Sequence, residues 1–475
     1  MNIKKAILAG LLFASPYFIC NYMVFIFIVP VLALIYSNQK IKNSHIVLFS
    51  VFLPCIALLP IITYNIATYF FGILVVAVFL VLFLSITRAL VRRSGNPIFS
   101  ICAPCIVWTS LIYLLNVNSL ITSVFEVGVL IPISAPLIWY IGSIGLTTLV
   151  ILFNSAAARF LVKKDVLSLV VAAALLVMFV GSFIFSGAQN PDNLHASNNP
   201  TKIALIQGDV PRGSIFGYEE DLDSRIERYV NLSQTAINEE KPDIVAWPEY
   251  TLPIDLANRF PQKMHPILNV ARENKTTFII GSLVSEKSKK NYHYDAALIL
   301  SGNGDIRDIY YSQDPAIFNE NVYPKDNGNK LYLNRMGIAL CWEELNANIF
   351  RKYAKHGAEY FISLSSNADL DYSLLERYAS FFSRARAAEN ARYLARATQT
   401  GVTQIIDPFG RPVKTLPAGR STFLAGEVYS IGRKTFYSRH GDILTKLFII
   451  SAVLGIFITE AIIKGNSAPR SIGHE

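Results

Sequence analysis

Long apolar runs broken by short polar loops fill the first 190 residues. Runs with little or no charge occur at about 45–63, 69–87, 98–116, 135–155 and 166–186, and one more lies at about 443–463. Each is close to the roughly 20 residues that a helix needs to cross a bilayer. The first block, roughly 6–37, is too long for one span and short for two. The pattern predicts two short helices breaking around Pro16 to Asn21, which makes eight spans in all. From residue 201 the pattern changes to short buried strands alternating with amphipathic helices. In order these are "KIALIQG" (strand), 219–240 (helix, apolar face at Ile226, Val230 and Ile237), "DIVAWPE" (strand), 262–273 (helix) and "TTFIIGSL" (strand). Next come "DAALILS" and "DIRDIYYS" as a hairpin, "RMGIALCW" (strand), 345–356 (helix), "EYFISLSS" (strand), 374–395 (helix) and "VTQIIDPFG" (strand and turn).

This alternation predicts an α/β domain, a layered sheet covered by helices. The expected organisation is a membrane domain of about seven spans over 1–187, a small-residue linker over 188–200, an extramembrane domain over 201–441, a closing span over 442–464 and a tail over 465–475.

The charges assign sides to the spans. Lys4 and Lys5, Lys40 and Lys42, Arg88 with Arg92 and Arg93, and Arg159 with Lys163 and Lys164 mark alternate loops, whereas the loops near 64–68 and 117–134 have no Lys or Arg. Basic loops stay cytoplasmic, so the domain from about 187 to 441 is expected on the opposite side. Much of the formal charge of +9 sits in those loops and in the tail with Lys464 and Arg470, so orientation accounts for it and no nucleic-acid partner is expected. Apolar spans continue behind the N-terminus, which argues against a cleaved signal peptide. Cys102 and Cys105, in "CAPC", fall at the start of a span and read as packing residues.

Cys341 is the one thiol of the extramembrane part, and it closes the strand "RMGIALCW" just before a helix. There, backbone N–H groups and the helix dipole would stabilise a thiolate. Glu249 closes the strand "DIVAWPE", where a carboxylate can serve as general base. Each also has a plainer reading. Cys341 suits a small core position, and Glu249 suits a cap or a solvated acid.

Five segments in this order resemble the apolipoprotein N-acyltransferase family of the nitrilase superfamily. They are "IALIQGDVP", "VAWPEYTLP", "FNENVYP", "GIALCWEEL" and "RARAAENARYLARATQTGVTQIIDPFGR" (384–411). The resemblance implies an α-helical membrane domain plus a layered αββα nitrilase-like domain. It implies Cys341 as nucleophile, Glu249 as general base, Glu320 and Glu343 as further site glutamates, and the Trp342 N–H as an oxyanion donor. The family has a catalytic lysine eight residues before the position of Glu320, and Ser312 stands there, with Lys325 the nearest substitute in sequence. The implied reaction moves a fatty acyl chain from a phospholipid to the α-amine of a lipoprotein's N-terminal cysteine through a Cys thioester, without a cofactor or metal. The implied location is the bacterial inner membrane, with the catalytic domain periplasmic. Two alternatives accompany it: a divergent paralogue with a weakened site, similar to the conjugal-transfer TraB proteins, and a membrane-tethered C–N hydrolase.

Overall fold

The computed structural model describes residues 11–16, 21–37, 50, 66–93, 96–115, 123–131, 136–210, 222–366 and 374–466, apart from 198, 260, 287, 290–291, 316–320, 329 and 334. Among the described residues, four helices are long and apolar enough to cross a membrane. They are α2 (Ile66–Arg93, apolar from Phe70), α3 (Pro97–Leu114), α4 (Leu137–Lys163) and α5 (Val166–Ala188). A short helix α1 (Val29–Tyr36) follows a 3-10 turn at Asn21–Phe25, and residues 17–20 of the break expected around Pro16 to Asn21 lie outside the described residues. The expected span at 45–63 lies outside the described residues apart from residue 50. On α5 the large apolar side chains Val166, Val170, Leu176, Val177, Val180 and Ile184 face outward. Such a continuous exposed apolar surface is suited to lipid rather than water.

The extramembrane part contains two sheets. The first has the strand order β11-β1-β2-β3-β4-β5, with β1 (Thr201–Gln207), β2 (Ile244–Leu252), β3 (Thr277–Ser285), β4 (His293–Leu300), β5 (Ile306–Tyr311) and β11 (Thr422–Val428). The second has the order β10-β9-β8-β7-β6, with β6 (Met336–Leu340), β7 (Tyr360–Ser365), β8 (Tyr393–Thr398), β9 (Thr403–Ile406) and β10 (Pro412–Leu416). Alternate residues of the first sheet go to two cores. Ile203, Ile244, Ile279 and Tyr310 join Ile362 and Leu364 of the second sheet. Ala204, Val245, Phe278 and Leu298 pack with α6 (Leu222–Glu240) and α7 (Pro261–Asn274), through Ile226, Tyr229, Ile267 and Val270. Helices α8 (Ala347–Lys355) and α9 (Leu374–Asn390) contact the second sheet, so the layers run α, β, β, α.

Two expectations change. The helix expected over 374–395 ends at Asn390, because Ala391 takes φ +50° and its neighbour Arg392 donates its N–H back to Ala387. That left-handed turn releases "YLARAT" to form β8, whose alternation a helical reading hid. Strands β10 and β11 also went unread, and β11 supplies the antiparallel edge beside β1.

The segment 384–411 holds the domain on the spans. Helix α4 breaks at Gly142, whose φ is +65°, and the Tyr437 ring occupies the space a Cβ would need. The break frees the Ser143 N–H, which donates to Glu389 Oε1 of α9 at 2.8 Å. Glu389 also pairs with Arg386 at 3.0 Å, and the Arg386 guanidinium lies 3.7 Å from Glu126. Arg386 and Glu389 are fully buried. Nearby, Arg411 donates to the carbonyls of Ser186 and Gln189 at the end of α5, and Phe409 packs on Trp139 at 5.3 Å. Removing one partner of a buried pair strands the other charge. Glu389→Ala is therefore expected to cost about 3–5 kcal/mol, read as a lowered unfolding midpoint in detergent, with a smaller loss for Glu389→Gln.

Candidate active site

Glu249 lies where β2 becomes irregular. Pro248 interrupts the run, the pairing with β3 shifts between Trp247 and Leu252, and Tyr250 turns through φ +52°. The shift brings the Glu249 carboxylate to the second sheet, where Oε2 accepts the Ser366 N–H at 2.9 Å. Gly281 of β3 permits this close approach, since a Cβ there would come within 2.2 Å of the Pro248 carbonyl oxygen.

Strand β6 stops at Leu340, and Cys341 opens a 3-10 turn, Cys341–Leu345, at φ +41°. A left-handed cysteine is strained by on the order of 1–3 kcal/mol, a conformation that persists where surroundings enforce it. Its thiol lies beside the Glu249 carboxylate and the Ser366 backbone, both of which act on it. Acid, thiol and backbone donor thus converge from β2, β6 and β7. Burial and the Glu249 charge push the Cys341 thiol well above its ordinary pKa, and the following helix starts only at Ala347. Burial and the neighbouring carboxylate both favour the thiol over the thiolate.

Glu343 anchors the turn. Its carboxylate accepts from the Tyr310 hydroxyl at 2.6–2.7 Å, the Gln313 N–H at 2.7 Å and the Leu340 N–H at 2.6 Å, and burial raises its pKa to about 7 against those bonds. Glu344 accepts from Ser363 and Ser365 and pairs with Arg396 at 2.9 Å. Trp342 is half-buried in the same turn. Glu320 and the segment 367–373 lie outside the described residues.

Ser312 is fully buried just past β5, its N–H donating to the Asp295 carbonyl at 2.8 Å, and its hydroxyl has no partner among the described residues. It follows the alternation of Tyr310, which faces the inter-sheet core. Lys325, the nearest lysine in sequence to Ser312, has its ammonium elsewhere. Its ammonium sits over the rings of Tyr311 at 3.8 Å and Tyr294 at 4.6 Å. Tyr311 packs with the core under the helices, on the opposite face of the sheet from Tyr310 and Ser312. Cation–π attraction holds the ammonium there.

Sequence reasoning passed over Asp295 and Arg396. Asp295, at the start of "DAALIL", is buried near Glu249, and burial and the Glu249 charge hold its carboxyl well above the usual range. Arg396 interrupts "YLARAT". A charge at an inward position of a buried strand is the signal that marks both, since charged side chains are almost never fully buried unless paired.

Residues 202–430 match the carbon-nitrogen hydrolase family. The apolipoprotein N-acyltransferase of Wigglesworthia glossinidia brevipalpis is 27% identical over 289 residues, 54% of this chain and 56% of that protein. The apolipoprotein N-acyltransferase of Geobacter metallireducens is 27% identical over 280 residues, 54% of this chain and 53% of that protein. The chain thus spans little more than half the length of these relatives. A carbon-nitrogen hydrolase from Helicobacter pylori of known structure is 18% identical, covering 48% of this chain and 88% of its own, with a TM-score of 0.41. Residues 202–430 thus carry the likeness to carbon-nitrogen hydrolases, and over about half its length the chain is similar to apolipoprotein N-acyltransferases.

Proposed function

We propose that this protein transfers a fatty acyl chain from a phospholipid to the α-amine of a lipoprotein's N-terminal cysteine, at the outer face of a bacterial inner membrane. The observation that carries this reading is the Cys341 thiol beside the buried Glu249 carboxylate, which is held at the facing strand end by the Ser366 N–H. Glu249 takes the thiol proton while sulfur attacks the ester carbonyl. The Trp342 N–H receives the developing oxyanion. The ester C–O bond then breaks, the lysophospholipid leaves with the proton from Glu249, and a thioester remains on Cys341. The acceptor amine attacks this thioester, gives its proton to Glu249, and displaces the thiolate, which Glu249 reprotonates. The α5 face and the closing helix α10 (Ile443–Asn466) supply lipid-facing surface beside the domain. The proposed domain limits are those read from the sequence.

A second reading, a paralogue with a weakened site, is favoured by one observation: the charges that weigh most on Cys341 are the carboxylates Glu249 and Glu344. The test for transfer is incubation of purified protein with phospholipid and a diacylglyceryl-cysteine peptide, followed by mass spectrometry. A peptide with a third acyl chain is expected, and an unchanged peptide contradicts the transfer reading. Restoring a cation by Ser312→Lys is expected to raise the rate by about a hundredfold, within the range found for one oxyanion donor. An unchanged rate would show that residue 312 does not face the reacting atoms.

A further inference from the structure

Glu343 is held by three donors from three places in the chain. The Tyr310 hydroxyl of β5 lies 2.7 Å from Oε1 and 2.6 Å from Oε2, the Gln313 N–H donates to Oε1 at 2.7 Å, and the Leu340 N–H donates to Oε2 at 2.6 Å. Both carboxyl oxygens thus act as acceptors, an arrangement that suits an ionised carboxylate, whose bonds to such donors are charge-assisted. Two of the donors belong to backbone beside the site: Leu340 precedes Cys341, and Gln313 follows Ser312. The ionised Glu343 carboxylate therefore ties the end of β5 to the end of β6 and to its own turn, where Cys341 keeps a φ of +41° that its surroundings must enforce. Loss of that charge slackens the turn at the nucleophile.

Ionisation at this place is costly. Glu343 is fully buried, Asp314 from the loop after β5 and Asp295 from β4 add negative charge near it, and Tyr332 and Tyr353 are close by. Burial pushes its carboxyl up to about 7, although all three donors pull the other way. Tyr310 is the one side chain among those donors. Its ring packs in the inter-sheet core, edge to face with Tyr332 at 5.8 Å. Burial and the Glu343 charge hold its hydroxyl well above the usual range, so it remains a donor. We infer that Tyr310 is a positioning residue for the proposed reaction: its hydroxyl keeps Glu343 ionised near neutrality, and the ionised Glu343 fixes the turn that presents Cys341.

This inference rests on Cys341 being the nucleophile of acyl transfer, and two readouts on the full-length protein separate the two ideas. The first is the infrared C=O band of a protonated carboxyl, followed through neutral pH and assigned to Glu343 by its loss in Glu343→Gln. A midpoint at about 7 is expected in the native protein. Tyr310→Phe, which removes the hydroxyl and keeps the ring, is expected to raise that midpoint by about one pH unit. Should Glu343→Gln not fold, the native minus Tyr310→Phe difference spectrum still reports the same band, as an excess of protonated carboxyl in the variant. The second readout is the pH profile of acyl transfer. Tyr310→Phe is expected to lose about fivefold in kcat at neutral pH, with the KM for phospholipid unchanged, and to regain the native rate at a pH above its own Glu343 midpoint. A midpoint that does not move, or a loss of kcat equal at every pH, would overturn the inference. A raised midpoint in a protein that forms no acyl product at any pH would instead overturn the transfer reading and leave the Tyr310–Glu343 pair standing.

Discussion

Replacing Cys341 with alanine is expected to abolish acyl transfer, with a loss on the order of 10⁴ or more, as for other covalent nucleophiles that work as a unit with their base. The thiol is the proposed carrier of the acyl chain between donor and acceptor, and alanine leaves Glu249 without a thiol proton to take. The fold should tolerate the change. Cys341 is half-buried rather than part of the main core, and the turn is held by Glu343 through Leu340, Gln313 and Tyr310. Loss of transfer with an unchanged unfolding midpoint is therefore the expected pair of results. Cys341→Ser keeps the shape but has a hydroxyl far harder to ionise than a thiol, and is expected to behave like the alanine variant.

Glu249→Gln is expected to lower transfer by about 10²–10⁴, the usual contribution of a general base. Here the loss should affect acylation and aminolysis together, because the same carboxylate receives a proton in each step. Both kcat for transfer and the single-turnover rate of acyl-enzyme formation should fall, with little change in phospholipid binding. A variant that lowered only the aminolysis rate would place the base for the first step elsewhere. The amide of glutamine can still meet the Ser366 region, so the strand geometry around Gly281 should survive.

Much of this site was legible because it stands at strand ends. Buried runs such as "DIVAWPE" and "RMGIALCW" announce strands by their apolar content, and the polar residue that closes each one is placed at the sheet rim by the pleat itself. What stayed hidden depends on backbone turns and cross-strand contacts. The positive φ of Ala391 ended a helix that its alanine-rich sequence would have continued, and so concealed β8 with Arg396. Asp295 lies 46 positions from both Glu249 and Cys341 in the sequence, and only the pairing of β3 with β4 and of β4 with β5 carries it to the site. Lys325 is the opposite case. Its closeness in sequence to Ser312 says nothing about which face of the sheet its ammonium occupies, and the rings of Tyr311 and Tyr294 decide that.

The signature 384–411 was read as a mark of family, and its physical role emerged only with the spans in view. Arg386, Glu389, Phe409 and Arg411 fasten the domain to α4 and α5. Such a fastening fixes the site relative to the bilayer from which the acyl donor would come. The break at Gly142 is part of the same device, since an unbroken α4 would keep the Ser143 N–H within its own ladder.

The central claim is that Cys341 carries the acyl chain. The most direct measurement incubates the purified protein with phospholipid, without an acceptor, and examines the peptide containing Cys341 by mass spectrometry. A fatty-acyl thioester on that peptide is expected, absent from Cys341→Ala and discharged when a diacylglyceryl-cysteine peptide is added. A native protein that forms no adduct, or an adduct that persists in Cys341→Ala, would contradict it.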